Sequence, residues 1–195
     1  MKEIIKTALS ESIKAKEDFI NNNIEEIILL AEKIVQAFTN DRKLMLCGNG
    51  GSAADAQHIA AEFVNRFELE RPPLPAIALT TDTSILTCVG NDYSFKDVFS
   101  KQVKAIGVEN DILLAISTSG NSPNIISAVK AAKGQGIYVA GLSGGDGGKL
   151  KQEADFCLVV NSKSTARIQE THILAGHILC KLVDYILFQK DIPDD

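Results

Sequence analysis

The sequence has no run of eighteen apolar residues and no block of Lys and Arg residues. The first absence predicts that no segment spans a membrane. The second makes nucleic acid a poor candidate partner for a chain whose net charge is -5. The opening stretch MKEIIKTALSESIKAKEDF has charges throughout its apolar positions. This pattern argues against a signal peptide and favours a cytoplasmic protein.

Cysteine is scarce, and its spacing lacks any CxxC pair. Four cysteines lie within or beside apolar runs, at Cys47, Cys88, Cys157 and Cys180. Scattered cysteines of this kind are typical of buried, reduced thiols in a cytoplasmic protein, and they give no support for a cysteine metal site.

What is present suits one globular domain with a helical extension: 195 residues, of which 45% are hydrophobic and 23% charged. Apolar residues recur at three- and four-residue steps from Ile24 to Phe38, which predicts a helix. A similar pattern over Ile4–Ile13 predicts an earlier helix, and NNN at 21–23 is a plausible break between the two. The predicted division is a helical extension over 1–40 and a main domain over 41–195.

From residue 43 onward, short continuous apolar runs alternate with helical patterns. The runs are KLMLC (43–47), AIAL (76–79), DILLAIS (111–117), IYVAGL (137–142) and DFCLVV (155–160). Continuous runs predict strands buried on both faces. Helical patterns follow at 52–67, 123–134 and 166–189, which together predict an α/β, doubly wound and mostly parallel five-stranded sheet. Ligands of such sheets bind where strands end and loops lead into helices.

Two strand exits carry unusual turns. GNGGS (48–52), the glycine turn, follows the first strand, and STSGNS (117–122), the serine turn, follows the third. Backbone amides at a helix start can bind an anion, with hydroxyls as added donors. Each turn alone is also a good helix cap, but two at corresponding strand ends favour a phosphorylated ligand. Because there is no P-loop and GNGGSA is a poor GxGxxG, the patterns favour a sugar phosphate over a nucleotide.

All three histidines fall on two of the predicted helices. His58 and Glu62 are four residues apart and share a helix face, an arrangement that can hold a divalent ion such as zinc. A solvated surface histidine is the alternative. The last helix adds further candidate ligands, and spacing alone does not decide which of them completes the set: Gln169, Glu170, His172 and His177.

Four blocks of the sequence closely resemble the phosphoheptose isomerase family, within the sugar isomerase (SIS) domain superfamily. They are CGNGGSAADAQHIAAEF, CVGNDYSFKDVFSKQV, ISTSGNSPNII and ARIQETHILAGHILC. The resemblance implies a three-layer α/β/α sandwich that assembles as a homotetramer with active sites at subunit interfaces. It also implies conversion of sedoheptulose 7-phosphate, a phosphorylated seven-carbon sugar, to D-glycero-D-manno-heptose 7-phosphate for bacterial surface polysaccharide.

The resemblance also assigns roles to residues of this sequence. The phosphate is expected at Ser117, Thr118, Ser119 and Ser122. The sugar is expected along Asn49, Gly50, Gly51 and Ser52, with Asn91, Asp92, Glu62 and Gln169 as further contacts. One zinc ion per subunit is expected to bind His58, Glu62, Gln169 and His177. Some members carry an acidic residue where this sequence has Ala166, so any role of that acid is absent here or is carried by another residue.

A ketose–aldose isomerisation needs a proton removed beside a carbonyl and another returned to the adjacent carbon. We expect Glu62 to be the base at C1 and His177 the partner acid/base, while zinc polarises the carbonyl. A zinc-bound carboxylate is a weaker base, so either Glu62 alternates between two roles or the metal is mainly structural. Two rival hypotheses are a non-catalytic SIS protein resembling the regulator of the bacterial replication initiator, and an enzyme of the superfamily acting on another phosphosugar.

Overall fold

The computed structural model describes residues 1–189. Within these residues the strands are Leu44–Cys47 (β1), Ala76–Ala78 (β2), Ile112–Ser117 (β3), Tyr138–Gly144 (β4) and Phe156–Val160 (β5). The α-helices are Lys2–Thr39 (α1), Gly51–Val64 (α2), Thr83–Asp92 (α3), Val98–Ile106 (α4), Pro123–Lys133 (α5), Gly148–Glu153 (α6) and Thr165–Phe188 (α7). A 3-10 turn covers Phe95–Asp97. The five predicted strands are all present, whereas α3, α4 and α6 were not predicted.

All pairs of neighbouring strands are parallel, in the order β2-β1-β3-β4-β5. The chain leaves β1 toward one edge for β2 and then returns to the other side of β1 for β3. This reversal makes the β1/β3 boundary the topological switch point, where loops leave the strand ends in opposite directions and open a crevice. The parallel five-stranded prediction is confirmed.

Two separate hydrophobic cores lie on the two faces of the sheet. Leu44 and Leu46 of β1 face the core that α1, α2 and α7 complete. Met45 and Cys47 face the other core, which α3, α4, α5 and α6 complete. Alternate strand residues point to opposite faces, so strands covered on both sides need apolar residues at every position. This explains the continuous apolar runs and confirms the three-layer α/β/α sandwich.

Helix α1 is one long helix with a kink at Asn23, whose φ of -139° and ψ of 21° are not helical. The Asn23 side chain donates to the Phe19 carbonyl over 2.6 Å, so it satisfies a carbonyl of the first segment and does not cap the second. The two helical segments meet at this kink, and the predicted break at 21–23 is confirmed. After the kink, α1 buries Leu30 and Ile34 against α7 and the sheet. Before the kink, its apolar stripe is exposed in the single chain: Ile4, Ile5, Leu9 and Ile13. The boundary at residues 40/41 stays a prediction.

Helix α7 is the one helix of the described residues whose length and composition would let it cross a membrane. It packs against α1, α2, β4 and β5, and its buried residues Ala175, Leu179 and Val183 belong to the first core. Long apolar helices at the centre of a folded core pass the same composition test, and the packing of α7 is that of a core helix.

The cysteines only partly match their predicted burial. Cys47 and Cys180 are buried, and burial raises the pKa of the Cys47 thiol to about 12. Cys157 is half-buried, and burial raises the pKa of its thiol to about 11. Cys88 is exposed, so its predicted burial is wrong. The reason is that it lies on α3, whose only buried residue is Val89.

Candidate active site

The two predicted turns leave the sheet at its switch point. The glycine turn joins β1 to α2, and the serine turn joins β3 to α5. They therefore end on opposite layers but meet at the same carboxyl edge. The side chains of Asn49 and Asn124 hydrogen-bond across the gap. Sequence reasoning missed Asn124, although it lies directly behind the serine turn.

Close backbone packing explains the glycines of the glycine turn. Gly50 has a φ of +53°, a conformation that favours glycine. A Cβ on Gly48 would lie 2.3 Å from the Ser52 carbonyl oxygen, and one on Gly51 would lie 2.3 Å from Gln169 Nε2. The Ser52 side chain is buried, so it packs inside the turn. The turn thus presents bare backbone on its outer side.

The serine turn is held tightly from within. Ser117 Oγ and Ser122 Oγ lie 3.1 Å apart, and the Asn121 amide donates to Ser119 Oγ over 3.2 Å. Gly120 has a φ of +65°, and a Cβ there would lie 2.1 Å from the Gly147 carbonyl oxygen. Thr118 is half-buried at the start of the turn. The hydroxyls are therefore gathered around a short loop supported by residues that follow β4.

Helix α5 offers fewer free amides than the sequence pattern suggests. Pro123 has no N–H, and the Ile126 amide donates to the Ser122 carbonyl over 3.0 Å. The Ile125 amide donates to Asn124 Oδ1 over 3.0 Å. Within residues 1–189, the amides of Ser119, Ser122 and Asn124 have no hydrogen-bond acceptor. An anion here would meet loop amides and hydroxyls more than the helix end itself.

Three of the predicted metal and catalytic residues converge between α2 and α7. His58 Nε2 lies 3.0 Å from His177 Nε2 and 3.2 Å from Glu62 Oε1. The Phe67 ring stacks on the His177 ring with centroids 5.4 Å apart. The side chain of Glu62 is 24% exposed and that of His58 is 50% exposed. The cluster is thus held by packing on one side and open to solvent on the other.

A glycine in α7 allows this convergence. A Cβ on Gly176 would lie 2.5 Å from Ile59 Cδ1, so α7 packs so closely against α2 that any larger residue would force the Ile59 side chain to shift. Each contact residue lies next to a site histidine in sequence, Ile59 after His58 and Gly176 before His177. The close packing therefore brings the two imidazoles together. The sequence signal was a glycine inside an apolar helical pattern, which often marks such packing.

The donors of this cluster fit zinc in their chemistry and nearly in their spacing. Zinc binds imidazole nitrogen and carboxylate oxygen at roughly 2.0–2.2 Å, so neighbouring donors of a tetrahedral site are about 3.3 Å apart. Two donor pairs here are 3.0 and 3.2 Å apart. Within residues 1–189, no three His, Cys, Asp or Glu side chains already enclose a metal position.

The other predicted ligands and contacts lie elsewhere. The Gln169 amide packs over Gly51, so it must turn away from the glycine turn to join the cluster, and its ligation stays a prediction. Glu170 pairs with Arg167 over 2.8 Å. Burial lowers the pKa of His172 to about 4, and its Nε2 bonds the Ser143 carbonyl over 3.1 Å. The hydrogen-bond partners of Glu170 and His172 are thus residues outside the cluster.

Asn91 and Asp92 end α3 on the opposite layer, where the Asn91 amide donates to Asp92 Oδ1 over 2.8 Å. Both side chains are exposed. Within the described part of the chain, neither hydrogen-bonds to the glycine turn or the serine turn. Their contact with the sugar therefore stays a prediction.

Arg71 ties the end of α2 to α7, and the sequence pattern did not reveal it. Its Nε donates to Asp184 Oδ1 over 2.8 Å, and its terminal nitrogens donate to the carbonyl oxygens of Phe63 and Glu62 over 2.7 and 2.9 Å. These bonds satisfy carbonyls that a helix end leaves without partners. They also explain why α2 ends at Val64 rather than at the predicted residue 67.

A cavity of about 710 Å³ lies at the opposite edge of the sheet. It is lined by residues around the starts of β1, β3 and β4, among them Asn40, Ile112 and Tyr138. Its size alone does not make it the candidate site. Ligands of parallel α/β sheets bind at the carboxyl ends of the strands, where the two turns lie.

Known proteins resemble this chain in the segments that build the candidate site. A family model described as SIS domain matches residues 9–144, which include both turns and α2. Phosphoheptose isomerase of Clostridium acetobutylicum is 51% identical over 196 residues, with 100% of each chain covered. The chain belongs to the phosphoheptose isomerase family. The resemblance predicted from the four sequence blocks is thereby confirmed.

Two solved phosphoheptose isomerases share the fold. That of Neisseria gonorrhoeae is 48% identical with a TM-score of 0.89, over 94% of this chain and 98% of its own. That of Francisella tularensis is 45% identical with a TM-score of 0.90, over 93% of this chain and 97% of its own. This member of the phosphoheptose isomerase family is an isomerase, and a non-catalytic role for its SIS domain is set aside.

Proposed function

We propose that the protein converts D-sedoheptulose 7-phosphate to D-glycero-D-manno-heptose 7-phosphate through an enediolate. The observation that carries this proposal is the convergence of three side chains, in which His58 Nε2 lies 3.0 Å from His177 Nε2 and 3.2 Å from Glu62 Oε1. The acid–base groups that an isomerisation needs are thus in one place. The names of the relatives support the choice of a phosphorylated heptose.

The two turns supply the binding half of the site. The phosphate binds at the serine turn, where hydroxyls of Ser117, Thr118, Ser119 and Ser122 and free loop amides replace its hydration shell. The sugar lies along the bare backbone of the glycine turn, beside Asn49. Charge on the phosphate needs no fixed cation here, because several oriented N–H and O–H dipoles share it.

The reacting end lies at the His/Glu cluster. Glu62 accepts the proton from C1, which forms the enediolate, and His177 gives a proton to its C2 oxygen, which forms the enediol. A proton then returns to C2 as the C1 hydroxyl loses one, and the aldose results. Each proton removed is matched by one delivered, so the step needs no oxidant or reductant. Phe67 shields one face of His177 from water.

The residues that would hold zinc are His58, Glu62, Gln169 and His177, with one ion per subunit. When bound, zinc supplies Lewis-acid polarisation of the carbonyl and its neighbouring hydroxyl. Metal analysis of the purified protein, paired with a coupled assay before and after chelation, tests this part of the proposal. Full activity in metal-free protein would contradict it.

The acid–base assignment is tested with Glu62→Gln and His177→Ala. Both variants are expected to fold and to bind sedoheptulose 7-phosphate in calorimetry, while turnover falls about 10²–10⁴-fold, the usual contribution of a general acid or base. Glu153→Gln is the matched control, because Glu153 pairs with Lys130 on the opposite layer. Near-wild-type turnover of either site variant would overturn its role. A panel of phosphorylated ketoses, with the aldose identified, tests the choice of substrate.

We further propose a cytoplasmic homotetramer that feeds heptose to a surface polysaccharide such as lipopolysaccharide or capsule. The exposed apolar stripe of α1 before the kink supports association, because contiguous apolar surface on a free helix usually marks an interface. Light scattering should give a mass about four times the 21.0 kDa of the chain. A monomer that is fully active would contradict the shared active site.

A further inference from the structure

The carboxamides of Asn49 and Asn124 form a closed pair that joins the glycine turn to the start of α5. Asn49 Nδ2 donates to Asn124 Oδ1 over 2.9 Å, and Asn124 Nδ2 donates to Asn49 Oδ1 over 2.8 Å. Asn124 is only 2% exposed, whereas Asn49 is half-buried. The pair therefore links a buried amide to one that reaches the surface of the candidate site.

The backbone fixes which way this pair is oriented. The Ile125 amide donates to Asn124 Oδ1 over 3.0 Å. If the Asn124 carboxamide were turned by 180°, its NH₂ group would face that N–H, and a buried donor would lose its acceptor. Asn124 must therefore present oxygen to Asn49 Nδ2 and nitrogen to Asn49 Oδ1. Only one orientation of the Asn49 amide satisfies both bonds.

We propose that Asn124 is a positioning residue, which holds the Asn49 amide in the orientation that contacts the sugar. The inference rests on the proposed function, in which Asn49 lines the sugar. In the pair, Asn49 keeps one N–H and one oxygen lone pair free for a ligand. Both lone pairs of Asn124 Oδ1 are already used. Asn124 thus acts through Asn49.

A double-mutant cycle tests this role. Asn49→Ala and Asn124→Ala are each expected to lower kcat/KM for sedoheptulose 7-phosphate about 10–100-fold, as for a misplaced binding group, mainly through KM. The double variant should be no more than about twofold worse than Asn49→Ala, because the two residues act as one unit. Asn40→Ala is the control, since Asn40 is exposed and precedes the start of β1. It should stay within about twofold of wild type.

Asn124→Asp separates positioning from packing, because it keeps the size of the side chain and its acceptor for Ile125. It also brings a second carboxylate oxygen against Asn49 Oδ1, so the folded variant should lose at least tenfold in kcat/KM. Because a buried carboxylate also costs stability, kcat/KM is measured well below the unfolding midpoint of the variant. The proposal is overturned if Asn124→Asp stays within threefold of wild type, or if the losses in the cycle simply multiply. If the wild-type protein does not convert the sugar, the proposed reaction is refuted instead. The double-mutant cycle is then repeated with calorimetric binding of that sugar as its readout, which tests Asn124 separately from the reaction.

Discussion

Replacing Asp184 by Ala should destabilise the protein far more than a surface ion-pair deletion does. The side chains of Arg71 and Asp184 are 1% and 6% exposed, and they meet at 2.8 Å. Removal of Asp184 leaves the guanidinium buried without its counter-charge, which typically costs about 3–5 kcal/mol. Folded domains are stable by about 5–15 kcal/mol, so the loss is a large fraction of the total.

The chain offers a matched control in Lys14 and Asp18. Their ion pair has the same length, 2.8 Å, but its side chains are 76% and 55% exposed. Because water screens an exposed pair, Asp18→Ala should leave the free energy of unfolding close to that of the wild type. Both variants are compared by urea unfolding at one protein concentration, since any association would add a concentration-dependent contribution.

The same comparison reports on the active site. Arg71 also holds the carbonyls of Glu62 and Phe63, so loss of Asp184 frees the residue that fixes the end of α2. Turnover of the folded variant should fall along with stability, because a small displacement of a reacting group can cost about 10²-fold. A loss of stability below 1 kcal/mol, or one equal to that of Asp18→Ala, would refute the reasoning about burial.

Two further predictions concern α7. Gly176→Ala places a Cβ 2.5 Å from Ile59 Cδ1, so it should destabilise the protein by about 1–3 kcal/mol and lower turnover. The control is Gly90→Ala on α3, where a Cβ would face open space, and this variant should be neutral or stabilising in the same urea titration. Equal destabilisation by Gly176→Ala and Gly90→Ala would contradict the packing argument. Burial lowers the pKa of His172 from 6.5 to about 4, so the unfolded chain binds its proton first as the pH falls. The free energy of unfolding is therefore not reduced by this proton above pH 6.5, and it declines toward pH 4. His172→Gln should remove about 3 kcal/mol of that decline. A difference between wild type and His172→Gln that does not change from pH 7 to pH 4 would contradict this.

The sheet could be predicted because its signal is local. A strand covered on both faces needs apolar residues at consecutive positions, as in Leu44–Cys47 and Ile112–Ser117, and such runs are visible in the sequence. Helices α3 and α4 are short and lie against one face, and α3 buries only Val89. At ten and nine residues they are too short for their apolar patterns to have been recognised, although the family block CVGNDYSFKDVFSKQV marks the same region.

The candidate site was predictable only in part, because its geometry depends on contacts between distant segments. Spacing placed His58 and Glu62 on one helix face, but 119 residues separate His58 from His177. Their meeting depends on the close packing at Gly176 and on the clamp at Arg71. A glycine inside an apolar helical pattern marks close packing at Gly176 but does not name its partner helix, and Arg71 carries no local signal of its role. The same holds for Asn124, whose partner lies 75 residues away.

The two-layer arrangement of the site has a consequence for substrate length. In the proposed site, the phosphate binds at the loop that enters α5 on one layer, whereas Glu62 and His177 lie on helices of the other layer. A sugar bound as proposed bridges the rim of the sheet, and we expect its carbonyl to reach the reacting groups only if enough carbons separate it from the phosphate. Phosphosugars with fewer carbons between the carbonyl and the phosphate should therefore bind without reacting.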